Sequence, residues 1–128
     1  MRSEGLSISS RKHHELHVWQ ESMTLVEMVY KLTEAFPENE RYGLISQLRR
    51  ASVSVPSNIA EGAARGSDAE FIRFLHIARG SLSEIETQLL IAQRLSYTNA
   101  DQSLEELIGQ IFKKMGGLIN HLKSRTQS

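Results

Sequence analysis

Three histidines close to the start of the chain, His13, His14 and His17, are the first residues with chemistry to offer. Two imidazoles four positions apart on a helix can share a divalent ion, which makes 13 and 17 the natural metal-binding pair. They stand at the border of a polar, serine-rich segment that precedes any regular apolar pattern, and a solvated tail is the reading this position favours. A carboxylate-bridged metal pair inside a helical bundle needs Glu-x-x-His on two helices. No Glu-x-x-His occurs in the 128 residues. There is no cysteine either, which removes disulfides, thiolate nucleophiles and thiolate metal sites together. The expectation is a protein that is not an enzyme, with no catalytic residues, no metal and no cofactor.

A denser set of polar groups stands in LRRASVSVPSNIAEGAARGS, residues 48–67, where Arg49, Arg50, Asn58 and Glu61 surround Pro56. Leu48-Arg49-Arg50-Ala51-Ser52 has the pattern of a basophilic kinase substrate, and Ser52-Val53-Ser54-Val55 alternates as a strand does. A strand of that length would find no partner elsewhere in the chain. As a helix over 44–65, advancing about 100° per residue, the stretch sorts into three arcs. Leu48, Ala51, Ser52, Val55, Ile59 and Gly62 share a core face; Val53, Pro56, Ala60 and Ala63 form an adjoining small apolar flank. Arg50, Ser54, Ser57, Asn58, Glu61 and Arg65 make a polar ladder on the rest. Ser52 then faces the core, out of a kinase's reach. Pro56 costs roughly 3 kcal/mol in a helix interior, which points to a kinked second helix whose serine hydroxyls satisfy the freed carbonyls.

Four helices would hold these residues. Val18, Leu25, Val29, Leu32 and Phe36 make one stripe of the first, with Trp19, Met23, Val26 and Tyr30 in a second stripe beside it, and Pro37 ends it. Ser67-Asp68-Ala69-Glu70 fits a capping box before Phe71, Leu75, Ala78, Leu82, Ile85, Leu89 and Ala92. Asn99-Ala100-Asp101-Gln102 starts the last helix, on Leu104, Ile108, Ile111, Met115, Leu118 and Leu122. The spacings match bundle packing, and short connections make neighbours antiparallel. Doubled apolar stripes leave more to bury than one four-helix core needs, which implies association. Ala78, Gly80, Ser81 and Ser83 suggest a close helix approach in the third helix, and Glu84 or Glu86 could face Arg49 or Arg50 across the bundle.

With Trp19, the segments FPENERYGLISQLRRASVSVPSNIAEGAAR and FLHIARGSLSEIETQLLIAQRL give the chain a family likeness. Their most specific parts are Tyr42-Gly43-Leu44, Gln47-Leu48-Arg49-Arg50-Ala51, Asn58-Ile59-Ala60-Glu61-Gly62, and Gly80-Ser81 with Glu84. Over about residues 17–124 the chain resembles the bacterial four-helix bundle proteins of the 23S rRNA intervening-sequence (S23) type, a superfamily that includes the accessory variability proteins of diversity-generating retroelements. The resemblance implies an all-α, antiparallel up-down bundle assembled as a homopentameric ring. Members of the intervening-sequence type are encoded inside rRNA genes, and the retroelement relatives resemble accessories that bind RNA and reverse transcriptase.

The domain reading is a disordered tail over 1–14, a bundle over 15–124 and a C-terminal tail over 125–128. The N-terminus lacks the apolar core of a signal peptide, and the absence of cysteine suits a cytoplasmic protein. Fifteen basic residues balance fifteen acidic ones, so bulk charge does not argue for nucleic acid. Local positive charge does. Arg50, Arg65, Arg73, Lys113, Lys114, Lys123 and Arg125 are the candidate RNA contacts, unless Glu61, Glu105 and Glu106 balance them as an ordinary solvated face. Arg49, Arg50, Asn58, Glu61 and Glu84 are the candidate structural polar network, and Asn58→Ala and Glu61→Ala should both impair folding or assembly. The expected function is an oligomeric accessory factor for RNA or a ribonucleoprotein, the alternative being a ring-shaped scaffold for protein partners without nucleic-acid binding.

Overall fold

The computed structural model describes residue 13 and residues 16–126. His14 and, apart from residue 13, the tail assigned to 1–14 lie outside the described residues. Four helices form: α1 (His17–Thr33), α2 (Leu44–Ala64), α3 (Asp68–Arg94) and α4 (Gln102–Thr126), with a 3-10 turn at Glu38–Glu40 between the first two. No strand occurs among the described residues. Each helix packs against its two spatial neighbours, and α4 closes back on α1, giving the antiparallel four-helix bundle that the periodicity predicts. The last helix continues through Thr126, past the boundary drawn at 124. No helix among the described residues is long and apolar enough to cross a membrane.

The core follows the stripes read from the sequence, except that Ile119, outside them, is buried while Leu118, Leu32 and Phe71 are only half-buried. Leu25 and Val29 of α1 meet Leu48, Val55 and Ile59 of α2, Leu75, Leu82 and Ile85 of α3, and Ile111 and Met115 of α4, all without solvent exposure. Ser52 is equally inaccessible and donates its hydroxyl to the carbonyl of Arg49 at 2.8 Å. The kinase-like motif therefore has no accessible serine. α2 runs unbroken from Leu44 to Ala64 with Pro56 buried inside it.

Local chemistry sets the helix ends. Ser67 Oγ accepts from the Glu70 N–H at 3.2 Å, but the Glu70 carboxylate turns to Arg73 instead of closing the box. Asp101 Oδ1 accepts from the Leu104 N–H at 3.1 Å and caps α4. α3 ends in a Schellman turn: Tyr97 N–H bonds the Ala92 carbonyl, Ser96 N–H that of Gln93, and Ser96 takes the left-handed position at φ 64° that glycine usually fills. α1 stops at Thr33, short of Phe36: the N–H groups of Glu34, Ala35 and Phe36 bond the carbonyls three residues back, which tightens the last turn ahead of Pro37. Phe36 is buried from the following turn.

Two expectations are corrected in part. Of the small-residue cluster in α3, Ala78 is fully buried and Ser81 meets Ser54 of α2 at 2.9 Å, but the glycine at a close approach is Gly62 of α2, where an added Cβ would lie 2.8 Å from Phe74 Cβ and 2.9 Å from Phe71 Cδ1. Gly80, expected to mark it, has nothing within 4 Å of its Cβ position. Of the two arginines expected to face a glutamate of the third helix, Arg49 turns the other way, toward α1, while Arg50 lines one groove with Glu84 without an ion pair.

Candidate functional site

The predicted polar network divides into separate ties. Arg49 clasps the end of α1. Its Nε donates to Thr33 Oγ1 at 2.8 Å, its Nη2 to the Tyr30 carbonyl at 3.2 Å, and its guanidinium lies 4.6 Å from the Tyr30 ring centre. A fixed cation at a helix C-terminus also meets the negative end of the macrodipole. Asn58 Nδ2 donates to the Ser54 carbonyl at 2.8 Å and to Ser54 Oγ at 2.9 Å, and Ser54 Oγ meets Ser81 Oγ of α3 at 2.9 Å. Asn58 thus orients the hydroxyl pair that joins α2 to α3.

Glu61 has a different part. It bonds Arg65 at 2.8 Å on an exposed face, with no tie to another helix. Exposed pairs of this kind contribute about 0–1 kcal/mol. Asn58→Ala should therefore lower stability by about 1 kcal/mol, while Glu61→Ala leaves the urea midpoint of the isolated subunit nearly unchanged. Paired denaturation curves check both. Glu84 accepts from Gln88 Nε2 at 3.4 Å and forms no ion pair with Arg50, although the two line one groove.

Of the seven candidate RNA-contacting cations, four are paired. Arg65 bonds Glu61, Arg73 bonds Glu70 at 3.3 Å, Arg125 grips Asp68 through two bonds of 3.0 Å, and Lys114 reaches Glu21 of α1. Arg65 and Arg73 also lie 4.9 and 4.6 Å from the Phe74 ring centre. Arg50, Lys113 and Lys123 are exposed and form no salt bridge with a described residue. The fold separates these cations: Arg50 sits in mid-α2 and Lys113 and Lys114 in mid-α4. Arg65, Arg73, Lys123 and Arg125 share the end where α2 turns into α3 and α4 finishes. No group of three or more His, Cys, Asp or Glu placed to hold a metal occurs among the described residues. His13 packs edge-on to Trp19 at 5.1 Å.

A tie that sequence reasoning missed joins the two connections at the other end. Glu40 Oε1 accepts from the Leu44 N–H at 3.0 Å and so caps α2, and Glu40 Oε2 accepts from the Tyr97 hydroxyl at 2.8 Å. The Leu44 N–H first, and then the Tyr97 hydroxyl, hold the Glu40 carboxyl below the usual range against a smaller opposing effect of burial. The same bond to Glu40, reinforced by burial and the carboxylate charge, raises the Tyr97 phenol. A lowered acid stabilises the fold above its unfolded value and loses that contribution as pH falls through the folded one. Tyr97→Phe should therefore destabilise the protein near neutrality and weaken the stability loss on acidification below the glutamate range. Melting curves at stepped pH read both effects.

Two outer faces carry exposed apolar groups. Exposed Met23 and Val53, half-buried Trp19, Val26 and Ala60, and the buried Pro56 line a groove between α1 and α2, with Tyr30 also exposed on α1. On α3, Ile77, Leu90, Ile91 and Leu95 are exposed.

No curated protein matches the chain. A crystal structure of a protein of unknown function from the S23 ribosomal protein family of Bacteroides thetaiotaomicron is similar, at 23% identity and a TM-score of 0.66, over 83% of this chain and 95% of that one. At that identity the likeness carries the fold. The model of the 23S rRNA-intervening sequence protein family matches residues 14–117, nearly the whole bundle, and the chain belongs to that family.

Proposed function

We propose that this protein is a non-catalytic, cytoplasmic accessory factor that self-associates and binds RNA or a ribonucleoprotein. Exposed cations carry the RNA part of this reading. In a chain of zero net charge, Arg50, Lys113 and Lys123 stay open while the other four candidates are paired. Unpaired guanidinium and ammonium groups are available to phosphates without first breaking an internal bond. The family description, which refers to intervening sequences of 23S rRNA, agrees with that direction.

Self-association rests on the apolar groove between α1 and α2 and the exposed row on α3. Two different faces on one subunit suit a heterologous, head-to-tail contact, which closes as a ring when the rotation permits. A ring of five copies is the assembly proposed. A bend of α2 at Pro56, where the imide nitrogen cannot donate to the Ser52 carbonyl, would shape one of these faces.

Fluorescence anisotropy with a labelled structured RNA, titrated from low to physiological salt, tests the reading. Binding should weaken linearly with the logarithm of salt, and reversing Arg50, Lys113 and Lys123 to glutamate should reduce the slope by up to about three. No binding at low salt would remove the RNA part. The same apolar faces would then favour the second reading, a scaffold for protein partners.

A further inference from the structure

Between α2 and α3 lies a groove of about 460 Å³ whose polar groups do not neutralise one another. Tyr42, at the mouth of α2, is 89% exposed, the most solvent-open of the large apolar side chains described. Arg50 and Glu84 line the same groove and stay unpaired with each other. Ala51 and the bonded hydroxyls of Ser54 and Ser81 add only small groups to the lining. Gln47 and Glu84 share one buried amide through long bonds: Gln88 Nε2 donates to Gln47 Oε1 at 3.5 Å and to Glu84 Oε2 at 3.4 Å. Gln88 is only 5% exposed, and its Oε1 is buried without a donor. A buried, half-satisfied amide is costly. Turning a carboxylate and a carboxamide oxygen toward one groove wall is a use that helix packing alone does not require.

The inventory of the groove selects its ligand. A carboxylate accepts two parallel N–H bonds. Among the RNA bases only guanine offers two donors side by side, N1–H and the N2 amino group. Adenine and cytosine set a ring acceptor beside their amino donor, and uracil flanks its single N–H with two carbonyl oxygens. The free N–H groups of Gln47 suit the guanine O6, an exposed tyrosine ring suits stacking, and a free guanidinium suits the phosphate.

We propose that this groove binds one guanine nucleotide of single-stranded RNA, with Glu84 on N1–H and the N2 amino group, Tyr42 against the base and Arg50 on the phosphate. This rests on the RNA-binding reading above and names what that reading leaves open.

The test is affinity for three labelled pentaribonucleotides, UUGUU, UUIUU and UUAUU, the second carrying inosine, which lacks the N2 amino group. Free guanosine 5′-monophosphate is titrated in parallel. Wild-type protein should prefer UUGUU by about tenfold over both others. Glu84→Gln should abolish the preference, and Tyr42→Ala should weaken UUGUU by about fivefold or more. Tyr42 is exposed, and Glu84→Gln keeps a side-chain oxygen that can accept from Gln88 Nε2, so melting temperatures should change little. Salt-dependent RNA binding that is blind to the base, or a guanine preference that survives Glu84→Gln, would overturn the proposal while leaving the RNA reading intact. Guanosine monophosphate binding that Glu84→Gln removes, with no RNA binding, would uphold the groove and overturn that reading. Loss of self-association in Glu84→Gln, without any effect on nucleotides, would assign the groove to a second copy of the chain and overturn the proposal.

Discussion

Gly62→Ala lowers the stability of this bundle by about 1–3 kcal/mol, and Gly80→Ala raises it by up to about 1 kcal/mol. The substitutions are chemically identical and both lie within helices. Alanine is favoured over glycine in each helix by about 1 kcal/mol, so intrinsic propensity predicts a gain at both sites. Packing reverses the sign at one. At Gly62 the new methyl would fall 2.8 Å from Phe74 Cβ and 3.3 Å from the Phe71 carbonyl oxygen. Neither atom is the free end of a flexible side chain, so α2 and α3 would have to move apart along their closest contact. At Gly80 the methyl enters open space. Urea denaturation of the two variants beside wild type reads the difference. Equal shifts of the same sign would show that α2 and α3 do not meet at Gly62.

Arg49→Ala should cost about 1.5–3 kcal/mol, the range for hydrogen bonds to a charged group. The substitution removes the donor to Thr33 Oγ1 and to the Tyr30 carbonyl, together with the guanidinium at the Tyr30 ring. Arg49→Lys should recover little, because an ammonium has no planar fork to reach both oxygens. Thr33→Val deletes one partner, and the double variant with Arg49→Ala should show a coupling of about 0.5–3 kcal/mol in a thermodynamic cycle. Additive effects, or an Arg49→Ala protein that unfolds at the wild-type midpoint, would leave the clasp without energetic weight.

Helix number, helix phase and two caps were legible because they are local. Apolar residues three and four apart give each stripe, and a hydroxyl at Ser67 or an acid at Asp101 marks a start. What escaped was set by distant partners. The stripe alone carried α1 on to Phe36, which is buried from the turn after the helix, and the clasp on Thr33 comes from Arg49, sixteen residues away. The Glu40–Tyr97 bond spans 57 positions, and nothing in either neighbourhood announces it. The glycines teach a different lesson. Gly80 stands two residues from Ala78 and two from Leu82, both fully buried, which turns it to the opposite side of α3. Gly62 continues the stripe of Val55 and Ile59, and that phase, rather than the cost of a mid-helix glycine, identifies the close approach.

The candidate site was legible only as a list of residue types. Seven cations were chosen for local positive charge, yet the carboxylates that neutralise Lys114 and Arg125 come from α1 and α3. Arg50 and Glu84 were both singled out for a structural tie. The fold brings them to one groove and leaves them unpaired with each other.

The most direct measurement is sedimentation velocity of the purified protein, alone and with a labelled structured RNA at low salt. The expected result is a single protein species near five times the 14.5 kDa chain mass, which carries the RNA with it and releases it as salt rises. A 14.5 kDa monomer that leaves the RNA behind at every salt concentration would contradict both the assembly and the RNA association.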